Sequence, residues 1–138
     1  MLGNAGNDIL YGDDGNDTLN GGTGQDRFYG GTGADIFAFD DGDFAGMSSG
    51  TADRIHDFSQ LEGDRISLAD VDANASLASD QAFTFVGTAA FSGVAGELRY
   101  QQIVGNTYVQ GDINGDGVAD FWIRVEGLHT LAASDFLL

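Results

Sequence analysis

Through the first third of the chain one apolar position recurs every nine residues, at Leu10, Leu19, Phe28 and Phe37. The stretches between are glycine, asparagine, aspartate and threonine, in which neither a helical stripe nor a simple alternation holds. Written in nines from Gly3, the four consecutive units carry Gly at positions one and four, Asp at six and Leu or Phe at eight without exception. A fixed period of this kind marks a solenoid, whereas a Gly-rich linker would show no such register. The Gly-rich hexad closes a tight turn. Asn4, Asp13, Gly22 and Gly31 at position two are the residue types that accept a positive φ. The last three residues form a short strand with its middle side chain inward. Two units then complete one coil, with turns on opposite edges, and the pattern predicts Asp8 stacked on Asp26 along one edge and Asp17 on Asp35 along the other.

After Ala38 the period fails. Residues 53–58 and 64–68 alternate polar with apolar and read as strands around a turn at Leu61-Glu62-Gly63. Residues 70–81 are rich in Ala and Asp and are assigned one short helix. Further strands are expected at 83–86, 97–102, 107–112, 121–125 and 136–138. The expected fold class is all-β, with a parallel β-roll over residues 1–40 and a mostly antiparallel β-rich cap over 41–138. A solenoid needs such a cap, because an open last coil leaves strand edges unpaired.

Composition adds the chemistry. The chain holds 22 acidic against 5 basic residues, a formal charge of -17, and the acids are 19 Asp with only Glu62, Glu97 and Glu126 as glutamates. Short carboxylates among Gly and Asn in tight turns suit calcium, which takes carboxylate and carbonyl oxygens together. Two carboxylates ~6 Å apart repel by roughly 2.8 kcal/mol at an effective dielectric near 20, and a divalent cation between coils converts this to attraction. The same net charge argues against nucleic acid and anionic membranes as partners. With no cysteine, disulfides, zinc knuckles and thiol nucleophiles are excluded. A hydrophobic content of 42% with ten Phe is too rich for a disordered acidic tail. No run of the sequence reaches the length of a membrane-spanning segment.

The unit Gly-Gly-x-Gly-x-Asp-x-apolar-x resembles the calcium-binding nonapeptide of the RTX proteins. The order Gly33-Ala34-Asp35-Ile36-Phe37, Asp53-Arg54-Ile55, Asp57-Phe58, then Gly63-Asp64-Arg65-Ile66-Ser67-Leu68 is similar to the C-terminal domain of serralysin-type metalloproteases, as are Gly117-Val118-Ala119-Asp120-Phe121 and the closing Asp135-Phe136-Leu137-Leu138. The resemblance implies that carbonyls and aspartates of turns one coil apart share Ca²⁺. One site would use Asn4, Gly6, Asp8, Gly21, Thr23 and Asp26, with Gly22 and Gly24 at the matching positions. A second would use Asp13, Gly15, Asp17, Gly30, Thr32 and Asp35. Asn4 and Asp13 stand where the family has Gly, which implies weakened sites. Asp53 is expected one coil after Asp35, completing a further site with Gly31, Gly33 and Asp35, and Asp57 and Asp64 would serve that end of the roll. The alternative for these three is strand-edge pairing with Arg54 or Arg65.

A second metal candidate is Asp112, Asn114, Asp116 and Asp120, whose spacing, with Gly117 at six, follows the start of an EF-hand-like loop. Position twelve is Ile123 rather than Glu, so a plain hairpin turn is the alternative. No catalytic set assembles: His56 and His129 have no partner spacing and read as structural. Trp122, Tyr100 and Tyr108 read as core, with an aromatic sugar-binding face as the alternative.

The resemblance implies a non-catalytic module of a secreted bacterial enzyme, with the parent a hydrolase such as a zinc metalloprotease. Its partners would be Ca²⁺, an upstream catalytic domain and type I secretion machinery reading the C-terminal Asp-Phe-Leu-Leu, with extracellular localisation. The chain opens just ahead of a complete repeat, so Met1 reads as an introduced start, and pairing of two chains through the roll's first edge is conceivable. The competing function is a polysaccharide-binding module like the similar tails of alginate epimerases, against which the acidic charge speaks.

Overall fold

The computed structural model describes residues 1–44 and 48–138. Eleven strands form: β1 (Ile9–Tyr11), β2 (Thr18–Asn20), β3 (Arg27–Tyr29), β4 (Ile36–Asp40), β5 (Asp53–Ile55), β6 (Arg65–Asp70), β7 (Thr84–Phe85), β8 (Glu97–Ile103), β9 (Asn106–Asp112), β10 (Phe121–Val125) and β11 (Phe136–Leu137). They build a seven-stranded sheet ordered β1-β3-β5-β10-β9-β8-β7 and a four-stranded sheet ordered β11-β6-β4-β2. The fold is all-β, and its parallel roll is the expected one. β1 lies parallel on β3 with Leu10 beside Phe28, and β2 on β4 with Leu19 beside Phe37. Positive φ falls at the position-two residues Asn4 (77°), Asp13 (70°), Gly22 (81°) and Gly31 (93°).

The winding does not stop at residue 40. β5 continues the first sheet parallel to β3, and β6 continues the second parallel to β4. The strands expected around Leu61-Glu62-Gly63 therefore enter different sheets. Their inward residues Ile55 and Ile66 are fully buried, as are Leu19, Phe28 and Phe37, so one apolar column runs up the roll. Beyond it, β10 joins β5 in parallel while β9 and β8 extend the sheet antiparallel, and β11 closes the other sheet on β6. Phe44, Phe83 and Phe121 fill this end, with Phe44 stacked on Phe121 at 4.2 Å.

The helix expected over 70–81 is absent; the segment is turns and bends. Short polar side chains take the backbone donors that a helix needs. Asp72 Oδ1 accepts from the N–H groups of Asn74 (3.0 Å) and Gln81 (3.2 Å), and Asn74 Oδ1 accepts from that of Ser76 (3.2 Å). Among the described residues the helical content is one 3₁₀ turn, Ala133–Asp135. Tyr100 is in the core, but Trp122 and Tyr108, which also read as core, occupy outward positions of β10 and β9 and meet edge to face at 5.7 Å.

Candidate metal centres on the two turn edges

Every nonapeptide turn delivers its position-six aspartate to an edge of the roll, and successive coils stack those aspartates. On the first edge Asp8 N–H donates to Asp26 Oδ1 at 2.8 Å, and Asp26 N–H to Asp53 Oδ1 at 2.7 Å. On the second, Asp17 N–H donates to Asp35 Oδ1 at 2.8 Å, and Asp35 N–H to Asp64 Oδ1 at 2.9 Å. The two ladders are Asp8-Asp26-Asp53 and Asp17-Asp35-Asp64.

This corrects the placement of Asp53, which was expected above Asp35 with Gly31 and Gly33. The first coils repeat after 18 residues, but the step from Asp26 to Asp53 is 27 and that from Asp35 to Asp64 is 29. Each longer step contains an inserted loop, so counting eighteen from Asp35 reaches the wrong edge. Asp57 does something different: its two carboxylate oxygens accept from the N–H groups of Gly30 (2.9 Å) and Gly31 (3.0 Å), which holds that turn. The alternative pairing of Asp53, Asp57 or Asp64 with arginine does not occur among the described residues, whose one ion pair is Arg124–Glu126.

Each ladder carboxylate spends one oxygen on the coil before it. The second oxygens of Asp8, Asp26, Asp35 and Asp53 are buried and have no hydrogen-bond partner. A buried, unpaired carboxylate oxygen is costly. Burial is the largest cause that raises the pKa of Asp26 and Asp35, and it pushes Asp53 up to about 8. Asp64, whose Oδ2 is satisfied by Ser59 N–H at 2.8 Å, is raised for the same first reason.

Backbone oxygens converge on these carboxylates where glycine leaves room. A Cβ on Gly3 would lie 2.5 Å from Gly21 O and 2.9 Å from Asp8 Oδ2. On Gly12 it would overlap Gly30 O and come within 3.1 Å of Asp17 Oδ2. On Gly22 and Gly31 it would overlap the carbonyl oxygens of Asn4 and Asp13. Gly3 and Gly12 were not among the expected site residues, although their place at position one of the repeat was the signal for them. Among the described residues no three acidic or histidine side chains gather as a metal-holding group. The donor set is instead paired carboxylates with main-chain carbonyls, hard oxygen chemistry that fits Ca²⁺.

The loop from Asp112 to Asp120 uses its carboxylates internally. Asp112 accepts from the N–H groups of Gly115 (2.6 Å) and Gly117 (2.9 Å), Asp120 from those of Ile113 (2.6 Å) and Asn114 (3.2 Å), and Asp116 from that of Val118 (2.8 Å). Asn114 Oδ1 accepts from Asp116 N–H at 2.8 Å. Ile123, at position twelve, is fully buried in β10. These bonds shape a hairpin turn between β9 and β10. His56 stacks on Tyr29 at 4.5 Å, and burial lowers its pKa; His129 packs edge-on against Phe58.

Comparison with solved structures finds repeat modules of one enzyme. The AlgE6R2 subunit of the Azotobacter vinelandii mannuronan C5-epimerase is 25% identical with a TM-score of 0.61, covering 99% of this chain and 88% of that one. The AlgE6R3 subunit of the same epimerase is 23% identical with a TM-score of 0.60, covering 98% and 79%, and this likeness shows the fold. Curated proteins contain no match. The family described as Peptidase M10 serralysin C terminal matches residues 1–138. With coiled turns, stacked aspartates and that match over every residue, the chain belongs to the serralysin C-terminal family of non-catalytic, calcium-binding β-rolls.

Proposed function

We propose that this chain is a calcium-triggered folding module of a secreted enzyme, with ions held between successive coils on both edges. The observation that carries the reading is the set of buried, unpartnered oxygens on Asp8, Asp26, Asp35 and Asp53. Asn4, Gly6, Gly21, Gly22, Thr23 and Gly24 would supply carbonyls beside Asp8, Asp26 and Asp53. Asp13, Gly15, Gly30, Gly31, Thr32 and Gly33 would do so beside Asp17, Asp35 and Asp64. When bound, Ca²⁺ neutralises the ladders. At low calcium, repulsion among the stacked carboxylates of a chain with charge -17 keeps the roll open. Outside the cell, sites with Kd of about 10⁻⁴–10⁻³ M fill, and each independent site at a hundredfold excess adds roughly 2.7 kcal/mol to the fold. The folded roll then supports the catalytic domain that precedes it.

Calorimetric titration tests this. Ca²⁺ should bind at several sites with a coil-to-β change in far-UV circular dichroism, and Mg²⁺ should produce neither. Asp26→Asn should remove binding on the first edge and Asp35→Asn on the second, each leaving the other. Equal stoichiometry in both variants and the parent chain would defeat the assignment.

The export signal is placed at Asp135-Phe136-Leu137-Leu138. In the folded chain this segment is the edge strand β11, with Phe136 buried and Asp135 accepting from Gln60 Nε2 at 2.7 Å. The signal is therefore available before folding rather than after. Deleting the four residues should abolish export by a type I apparatus while calcium binding persists; export at the parent level would reject the placement.

A further inference from the structure

Four of the five arginines share one surface, the outer face of the seven-stranded sheet. Arg27 on β3 is in register with Arg54 on β5, and Arg54 with Arg124 on β10. Neighbouring strands are ~4.8 Å apart, so the three stems form a row across about 10 Å. The row continues on the next strands as Tyr108 and Gln101. A parallel row holds Trp122, Gln110 and Arg99. The alternate residues Ile55, Ile123, Val125, Val109 and Leu98 are fully buried, which sets the arginines and aromatics on the opposite, outward side. The fifth arginine, Arg65, is on β6 of the other sheet.

This segregation is unlike a surface that merely neutralises itself. With 22 acidic residues in the chain, Arg124–Glu126 at 3.1 Å is the one ion pair among the described residues. Glu97, the other glutamate on this face, is engaged by Ser92 N–H and Oγ, each at 2.7 Å. Arg99 Nε and Arg124 Nε are buried without a hydrogen-bond partner. The aspartates that dominate the net charge stand on the turn edges, at the strand ends.

We propose that this face binds a linear acidic polysaccharide, whose carboxylates meet the arginine row while its sugar rings lie against Trp122 and Tyr108. Guanidinium groups pair with carboxylates in a fork geometry, and a repeating polymer suits a repeating row. The charge of -17 does not forbid this, because charges beyond a Debye length of about 8–10 Å are screened and the local row governs contact. Duplex nucleic acid, with one charge per ~1.7 Å, is a far denser anion than a polymer with one carboxylate per sugar, and the surrounding acid repels it more strongly. A peptide adding as a strand would take a sheet edge, not the face.

The test is titration of short, non-gelling oligogalacturonates into the calcium-loaded chain, followed by calorimetry and NMR shifts. Binding should weaken with added salt. Arg54→Gln with Arg124→Gln should weaken it by about tenfold or more, while Arg65→Gln should leave it unchanged within about twofold. Circular dichroism in calcium establishes that each variant is folded, and Trp122→Ala gives a second readout should the arginine pair unfold. No binding by the parent chain would overturn the proposal. So would equal loss in Arg65→Gln, or equal affinity for a glutamate-rich peptide, which would mark the face as a site for acidic protein.

Discussion

Stripped of calcium, the chain should be more stable at about pH 5 than at about pH 8.5, and saturating calcium should reverse that order. Asp53 is fully buried, and its pKa is pushed up to about 8, first by burial and then by the charges of Asp26 and Asp43, against the opposing hydrogen bond from Asp26 N–H. Asp26, Asp35, Asp43 and Asp64 are displaced in the same direction, each with burial as the largest cause. A carboxyl group whose pKa is higher in the folded than in the unfolded chain keeps its proton longer in the fold. The native state then binds more protons between about pH 4 and pH 8, and stability falls as pH rises through that window.

At ~1.4 kcal/mol per pKa unit, ionising Asp53 alone costs the metal-free fold something of order 5 kcal/mol. That is comparable to the whole stability of an ordinary domain, about 5–15 kcal/mol. Bound calcium favours the ionised form, so protons compete with it and stability rises with pH over the same range. Thermal melts at a series of pH values, in calcium-free and calcium-saturated buffer, read both slopes. A calcium-free stability that climbs from pH 5 to pH 8 would remove the basis for buried, ion-seeking carboxylates.

Gly24→Ala should destabilise the calcium-loaded fold by about 3–5 kcal/mol, and Gly6→Ala by only about 1–2 kcal/mol, although both occupy position four of the repeat. Their backbones are alike, with φ of 135° at Gly24 and 120° at Gly6, so each alanine incurs similar left-handed strain. What differs is the coil beneath. A Cβ on Gly6 meets nothing within 4 Å, whereas on Gly24 it overlaps Gly6 O and lies 3.2 Å from Asn7 Oδ1. The Gly24 variant must push two coils apart at a point where their carbonyls converge, so it should also weaken calcium binding on the first edge. Denaturant melts in saturating calcium measure the difference. Equal losses would mean that the glycines serve backbone conformation alone and that the close approach of coils is not required.

The first two coils were legible residue by residue because each of their features is local. A nonapeptide contains its own turn, positive-φ position, inward side chain and outward carboxylate, so the stacking of Asp8 on Asp26 and of Asp17 on Asp35 followed from the period. The third coil was not legible, since loops lengthen its steps to 27 and 29 residues and a count of eighteen sends Asp53 to the wrong edge. Nothing near Asp53 or Asp64 in the chain names the edge. That is decided by which sheet the neighbouring strand completes, with Ile55 beside Phe28 and Ile66 beside Phe37 in one apolar column.

The segment 70–81 misled for a related reason: its alanines favour a helix, but Asp72 and Asn74 capture the backbone donors in turns. The arginine row is the furthest from local control. Arg27, Arg54 and Arg124 become neighbours because β10 returns to lie parallel on β5. Charge composition averages over the chain and suggested a surface hostile to any polyanion. Strand pairing, driven by burial of the opposite side chains, sorts the charge instead, placing carboxylates at the turns and guanidinium groups across one sheet face.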